Sequence, residues 1–188
     1  YIKAQFDIKT TDPTGQLLIF TMYAIITVLS IYGGKLPTIF INRSKQNPYA
    51  ARMKAMLIFA FIPLLVLVAQ PLGTYSYWFP VIIIALAGSA HQSWSANLFS
   101  TIGDMFPKGA IATITGIGGM AGGLGSFFLQ NTAGKLFIHA EKTNLQFLGF
   151  EGKPAGYFIM FCFCAVAYLI GWTVMKSLVP KYKVITDL

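Results

Sequence analysis

The residues best suited to chemistry stand together in the middle of a long apolar run: His91-Gln92-Ser93-Trp94-Ser95-Ala96-Asn97. Pro80 to Ala87 lead into them and Leu98 and Phe99 follow, all but a few of these aliphatic or aromatic. Polar side chains at membrane depth are expensive unless they face protein or a water-filled cavity, which makes such a cluster a functional-site candidate. Helix-to-helix hydrogen bonding would explain one or two of them, but not the whole run. Its chemistry suits a hydroxylated ligand, an anion included. Trp94 offers a flat apolar face for the C–H side of a sugar ring and an N–H at its edge. Ser93 and Asn97 carry donors and acceptors for hydroxyls. His91 can donate to a carboxylate, more strongly when protonated, although a buried, merely hydrogen-bonded histidine is its plainer reading. At about 100° per residue, Ser93, Asn97, Thr101 and Asp104 form one stripe. Trp94 borders that stripe, His91 and Ser95 lie further round, and Gln92 points away, which makes it a weaker member of the set.

The elements that must position this cluster follow from composition. Hydrophobic residues make up 55% of the chain and charged ones 11%, where soluble domains carry about 25% charged. Mean hydropathy is +0.64, and the charges cluster between apolar runs. This predicts an all-α integral membrane protein embedded in the lipid bilayer. Five segments, roughly 16–41, 55–73, 77–105, 109–134 and 156–179, are each long enough to cross a ~30 Å hydrocarbon core. Residues 1–15 read as an external loop, 135–155 as the one long loop, and Gln70 to Thr74 as a short turn joining an antiparallel pair. Gly33 and Gly34 before Pro37 loosen the first span near one surface.

Counting lysines and arginines near the span ends sets Arg43, Lys45, Arg52, Lys54, Lys108, Lys176, Lys181 and Lys183 against Lys3, Lys9, Lys135, Lys142 and Lys153. The bias puts the N-terminus outside and the C-terminus in the cytoplasm. The chain opens on Tyr1 with no secretory signal, and an odd number of spans with an external start predicts at least one earlier helix. The net charge of +8 is spread over span ends with no basic face for phosphates, so no nucleic-acid partner is expected. Cys162 and Cys164 point to different sides of one helix, forming neither a disulfide framework nor a metal site.

Two further motifs bear on function. Gly116 to Ser126 is glycine-rich, and its small-xxx-small spacings (Gly118/Gly122, Gly119/Gly123, Gly122/Ser126) predict close approach of another helix, with cavity-facing backbone near Gly118 and Gly119. The formal match to a dinucleotide fingerprint at Gly116, Gly118 and Ala121 lacks the preceding strand and later acid, so no cofactor is expected. His91 and Ser95 lie four apart on one helix with no nucleophile elbow or third partner, and no metal-ligand spacing occurs. An enzyme is not expected.

The runs Ala90 to Phe99, Asp104 to Lys108 and Gly116 to Gly123 together resemble the bacterial hexuronate transporters, in the anion:cation symporter branch of the major facilitator superfamily. The resemblance implies that the five segments are helices eight to twelve of a twelve-helix carrier. Residues 1–15 then form an external loop and 16–188 an incomplete C-terminal bundle. It implies alternating access about a central site, with Trp94 and the residues just before it meeting a sugar acid from the tenth helix. Related carriers place a polar side chain in the eleventh helix near Gly118 or Gly119, where this chain has glycine. The arginine that meets the substrate carboxylate and the acids that take up the proton belong to the N-terminal half, which is the implied partner. Without it the fragment is not expected to transport. Inner-membrane uptake of glucuronate or galacturonate with protons is therefore expected, with aldonates or aldarates such as galactonate or glucarate as the alternative. A helical-bundle channel or receptor is the alternative from a different class.

Overall fold

Short signals at the helix ends, rather than hydropathy, set where several of the helices begin. Asp12 is extended ahead of Pro13, which occupies the first turn of a helix, a position where its missing N–H costs nothing. In a computed structural model describing residues 1–185, this helix, α2, runs Pro13–Ser44, after a short α1 at Ile2–Phe6. The expected external loop therefore holds a turn of helix and the start of a long one. Helix α2 continues through Pro37 and ends at Lys45, which is left-handed with φ 48°. Asn47 accepts a hydrogen bond from the Ala50 amide at 2.8 Å and Pro48 follows, so α3 (Pro48–Phe61) starts seven residues ahead of the hydropathy boundary at 55.

Pro63 then breaks the α-helical ladder, and Ile62–Val68 winds as a 3-10 helix before α4 (Ala69–Leu72). Pro63, Val66 and Ala69, three apart as that winding requires, are all buried. Gln70, expected in a turn, is helical and buried, and its amide donates to the Pro154 carbonyl at 3.0 Å.

Helix α5 spans Trp78–Met105 and stops at an extended Phe106, the conformation favoured before a proline such as Pro107. Helix α6 runs Lys108–Thr143, nine residues past its expected end at 134. Lys135 to Thr143 include good helix formers, and no breaker intervenes before the left-handed Asn144. The long loop expected over 135–155 is thus only residues 144–152. Within it a hairpin pairs Gln146 with Glu151 and Phe147 with Phe150. Its two turn residues, Leu148 and Gly149, have φ 46° and 87°, the positive pair that a type I′ turn needs. Helix α7 completes the fold at Lys153–Leu178. Thr186 to Leu188, the end of the expected bundle, lie outside the described residues.

Four of these stretches, Pro13–Ser44, Pro48–Leu72, Lys108–Thr143 and Lys153–Leu178, are long and apolar enough to cross a membrane. They are compatible with a membrane-embedded protein. Helix α5 is long enough, but its polar cluster dilutes it below the others. It is instead the axis of the bundle, in contact with α2, α3, the 3-10 segment and α6, while α7 packs on α3, the 3-10 segment and α6.

A tight approach in the bundle joins α2 to α5. A Cβ on Gly33 would sit 2.0 Å from the Ser93 Oγ, so only glycine fits. The expected close approach along α6 is absent: a Cβ on Gly116, Gly118, Gly119, Gly122, Gly123 or Gly125 meets nothing within 4 Å. Among the described residues no helix covers that face. Ala140, near the crossing with Gly156 of α7, is the one buried residue of α6.

Gly33→Ala should therefore lower stability by about 1–3 kcal/mol through overpacking, outweighing the roughly 1 kcal/mol that alanine adds in helix propensity. Ser93→Gly in the same chain should recover most of it, and Gly118→Ala should cost nothing. Unfolding midpoints in a denaturing-detergent titration measure all three; equal midpoints for the Gly33 and Gly118 variants would sink the packing account.

Candidate functional site

Helix α5 sorts its polar residues onto two faces. On the first, the Ser89 and Ser93 hydroxyls donate to the Leu86 and Ser89 carbonyls at 2.7 and 2.8 Å. The Asn97 amide donates to the Ser93 carbonyl and the Thr101 hydroxyl to the Asn97 carbonyl, both at 2.8 Å. Each side chain thus spends a donor on its own helix, which offsets the cost of burying that donor. Ser93 and Asn97 are 2% and 1% exposed, with Gly33 and Phe59 against Ser93. Both were expected to offer donors to a ligand; Ser93 has given its one hydroxyl proton to the helix, and Asn97 one of its two amide protons. The Asn97 Oδ1 alone is left buried without a partner. A cavity of about 270 Å³ reaches Ser89 and Ser93 between Tyr32, Gly33 and Phe59, with a mainly aliphatic and aromatic lining.

The second face looks toward α7. His91 is exposed and its Nδ1 lies within hydrogen-bonding reach of the Tyr168 hydroxyl. Trp94 meets the same tyrosine edge to face, with ring centroids 5.5 Å apart at 70°. The indole also packs against both hydrophobic clusters of the bundle and lies within 4 Å of where a Gly171 side chain would begin. Its Nε1 is buried with no acceptor. When the Tyr168 hydroxyl donates to Nδ1, the imidazole carries its proton on Nε2 and presents that N–H outward. An imidazole N–H, a phenol and an aromatic wall, all next to one unsatisfied indole donor, can hold a ligand that is apolar on one side and rich in oxygen on the other.

Gln92 is exposed beside this face. Gly118 and Gly119 touch none of it and lie on the open side of α6. Further along α6, Gln130 donates to the Ser126 hydroxyl at 3.0 Å in a polar recess. Tyr168 was not singled out from the sequence. The available signal was a hydroxyl-tipped aromatic near the middle of α7, as His91 is at the middle of α5, but pairing the two requires the helix rotations.

A third polar contact ties the helix ends. The Arg52 Nε donates to the Asp104 carboxylate at 2.5 Å, joining the start of α3 to the last turn of α5. Among the described residues no group of three or more His, Cys, Asp or Glu side chains comes together as a metal site. No protein-family model, curated protein or solved structure matches the chain.

Because Trp94 bridges two packing clusters, Trp94→Ala should cost stability as well as binding, toward about 3 kcal/mol, the lower end for a buried indole. Tyr168→Phe deletes one hydrogen bond and should cost about 0.5–1.5 kcal/mol while keeping the ring contact. The same unfolding titration separates them. Equally small losses would put Trp94 outside the packing.

Proposed function

We propose that the chain is the C-terminal part of a twelve-helix major facilitator carrier of the anion:cation symporter branch, taking up a hexuronate with protons by alternating access. In this reading α2, the stretch from α3 to α4, α5, α6 and α7 are its last five spans, in the inner membrane, with the C-terminus in the cytoplasm. The observation that carries it is the meeting of His91, Trp94 and Tyr168 at mid-length of the central helix. A hexuronate has a C–H face for the indole, hydroxyls for the phenol, and a carboxylate for the imidazole N–H. Ser93 and Asn97 then act as positioning residues that fix the rotation of α5. Gly118 and Gly119 face the side left open for the N-terminal half, which supplies the remaining charged groups.

Aldonates and aldarates carry the same groups and are the alternative within this reading. The open glycine face and the single polar helix favour a carrier over a pore, whose polar stripes would run along several helices.

Uptake of labelled galacturonate and glucuronate by cells expressing the complete carrier tests the proposal. Uptake should depend on an inward proton gradient, and each hexuronate should compete with the other. His91→Phe should weaken apparent affinity roughly tenfold or more, the value of a hydrogen bond to a charged group, with normal expression. Uptake of galactonate or glucarate in place of hexuronates would move the substrate to the alternative. A well-expressed carrier moving no sugar acid at all would defeat the reading.

A further inference from the structure

A large cavity lies away from these aromatic residues, at the end of the bundle where α5 and α7 finish. It measures about 560 Å³. Leu98, Ile102 and Met105 of α5 face Met175 and Leu178 of α7 across it, and the stretch after α7 closes one side with Lys181 and Lys183. That stretch is held like a strap. The Ile185 amide donates to the Met105 carbonyl at 2.8 Å, and the Tyr182 hydroxyl to the Asp104 carbonyl at 3.2 Å. Tyr182 stacks on Tyr49, with centroids 6.5 Å apart at 22°, and the Tyr49 hydroxyl donates to the Val179 carbonyl.

The strap leaves both lysines exposed, so their stems complete an apolar wall while their ammonium groups stand at the mouth. Lys176, their neighbour, is occupied with the Pro180 carbonyl at 2.9 Å and the Tyr49 ring. Among the described residues neither Lys181 nor Lys183 has a carboxylate partner, and Asp104, the one acid at this end, is held by Arg52. Arg43, Lys45, Lys54 and Lys108 share the same end. A chamber that is apolar inside and doubly cationic at its mouth, on a chain with four membrane-length helices, matches one class of molecule. We propose that this cavity takes an acyl chain of an anionic phospholipid, with the phosphate held by Lys181 and Lys183. A free phosphate would gain nothing from the apolar wall. A zwitterionic headgroup would bring its own cation to a site that already has two. Basic pockets between membrane helices bind anionic headgroups in this way. Nothing in this site depends on sugar-acid transport.

Native mass spectrometry of the purified chain, extracted from bilayers of equal phosphatidylglycerol and phosphatidylcholine, tests the site. One phosphatidylglycerol should be retained per chain, in clear preference to phosphatidylcholine. Lys181→Gln and Lys183→Gln should each cut that preference about fivefold, the worth of one lysine at an anionic surface. Ile102→Trp should fill the chamber and reduce retention of both lipids, and Leu178→Trp at its exposed wall does the same if the first variant loses helix content. Equal retention of the two lipids, an unchanged preference in the double lysine variant, or displacement of phosphatidylglycerol by inorganic phosphate would each overturn the proposal.

Discussion

The missing side chain at Gly33 fixes the rotation of α5, and through it the position of every polar group on that helix. With the Ser93 Oγ occupying the space where a Cβ would stand, the stripe from Ser89 to Thr101 turns inward and bonds a donor of each side chain to a backbone carbonyl. His91 is two residues away, about 160° round the helix, and so faces out. Trp94 is about 100° round and falls in the seam with α7. One close contact thus divides a crowded polar segment into a packing face and a face turned toward Tyr168 of α7. The division is economical in hydrocarbon, where an uncommitted buried donor has no water to turn to.

Much of the architecture was legible because long apolar runs leave few choices. Four helical stretches long and apolar enough to span a membrane overlap the expected segments, the second of them broken by a 3-10 turn, and α5 agrees with its expected bounds to within a residue at either end. The disagreements share a cause. Hydropathy locates the part of a helix that belongs in lipid, whereas caps and breakers locate the helix itself. Asn47 with Pro48 starts α3 in the basic stretch, and Arg52 and Lys54 ride on its first turns, paired with Asp104 and laid over the Phe40 ring at 4.7 Å. The same reasoning extends α6 to Thr143. The hairpin was hidden because Leu148, a poor candidate for a positive φ, holds the position usually given to Asn or Gly.

At the site, the segment was legible and its geometry was not. A stripe of Ser93, Asn97 and Thr101 reads identically whether it faces a ligand or a neighbouring helix; only the contact with Gly33 decides. The glycines of α6 pose the reverse problem. Their spacing asks for a partner helix, and within the described residues they have none. Helix α6 is accordingly the least anchored of the long helices, held at its crossing with α7 near Ala140 and Gly156, while α2, α3 and α5 interlock. Local opening free energies should follow that order, because few buried contacts mean little resistance to separation.

The 3-10 winding of Ile62–Val68 has a mechanical meaning. Seven residues wound this way rise about 14 Å, against about 10.5 Å as α-helix, and each turns about 120° rather than about 100°. Rewinding the segment would draw its ends about 3.5 Å together and swing everything beyond it through about 140°. Gln70 would leave the Pro154 carbonyl, and the row of Pro63, Val66 and Ala69 would come out of line with its neighbours. Length and angle of this segment are therefore tied to each other, and the amide of Gln70 fastens the turn beyond it to the Pro154 carbonyl.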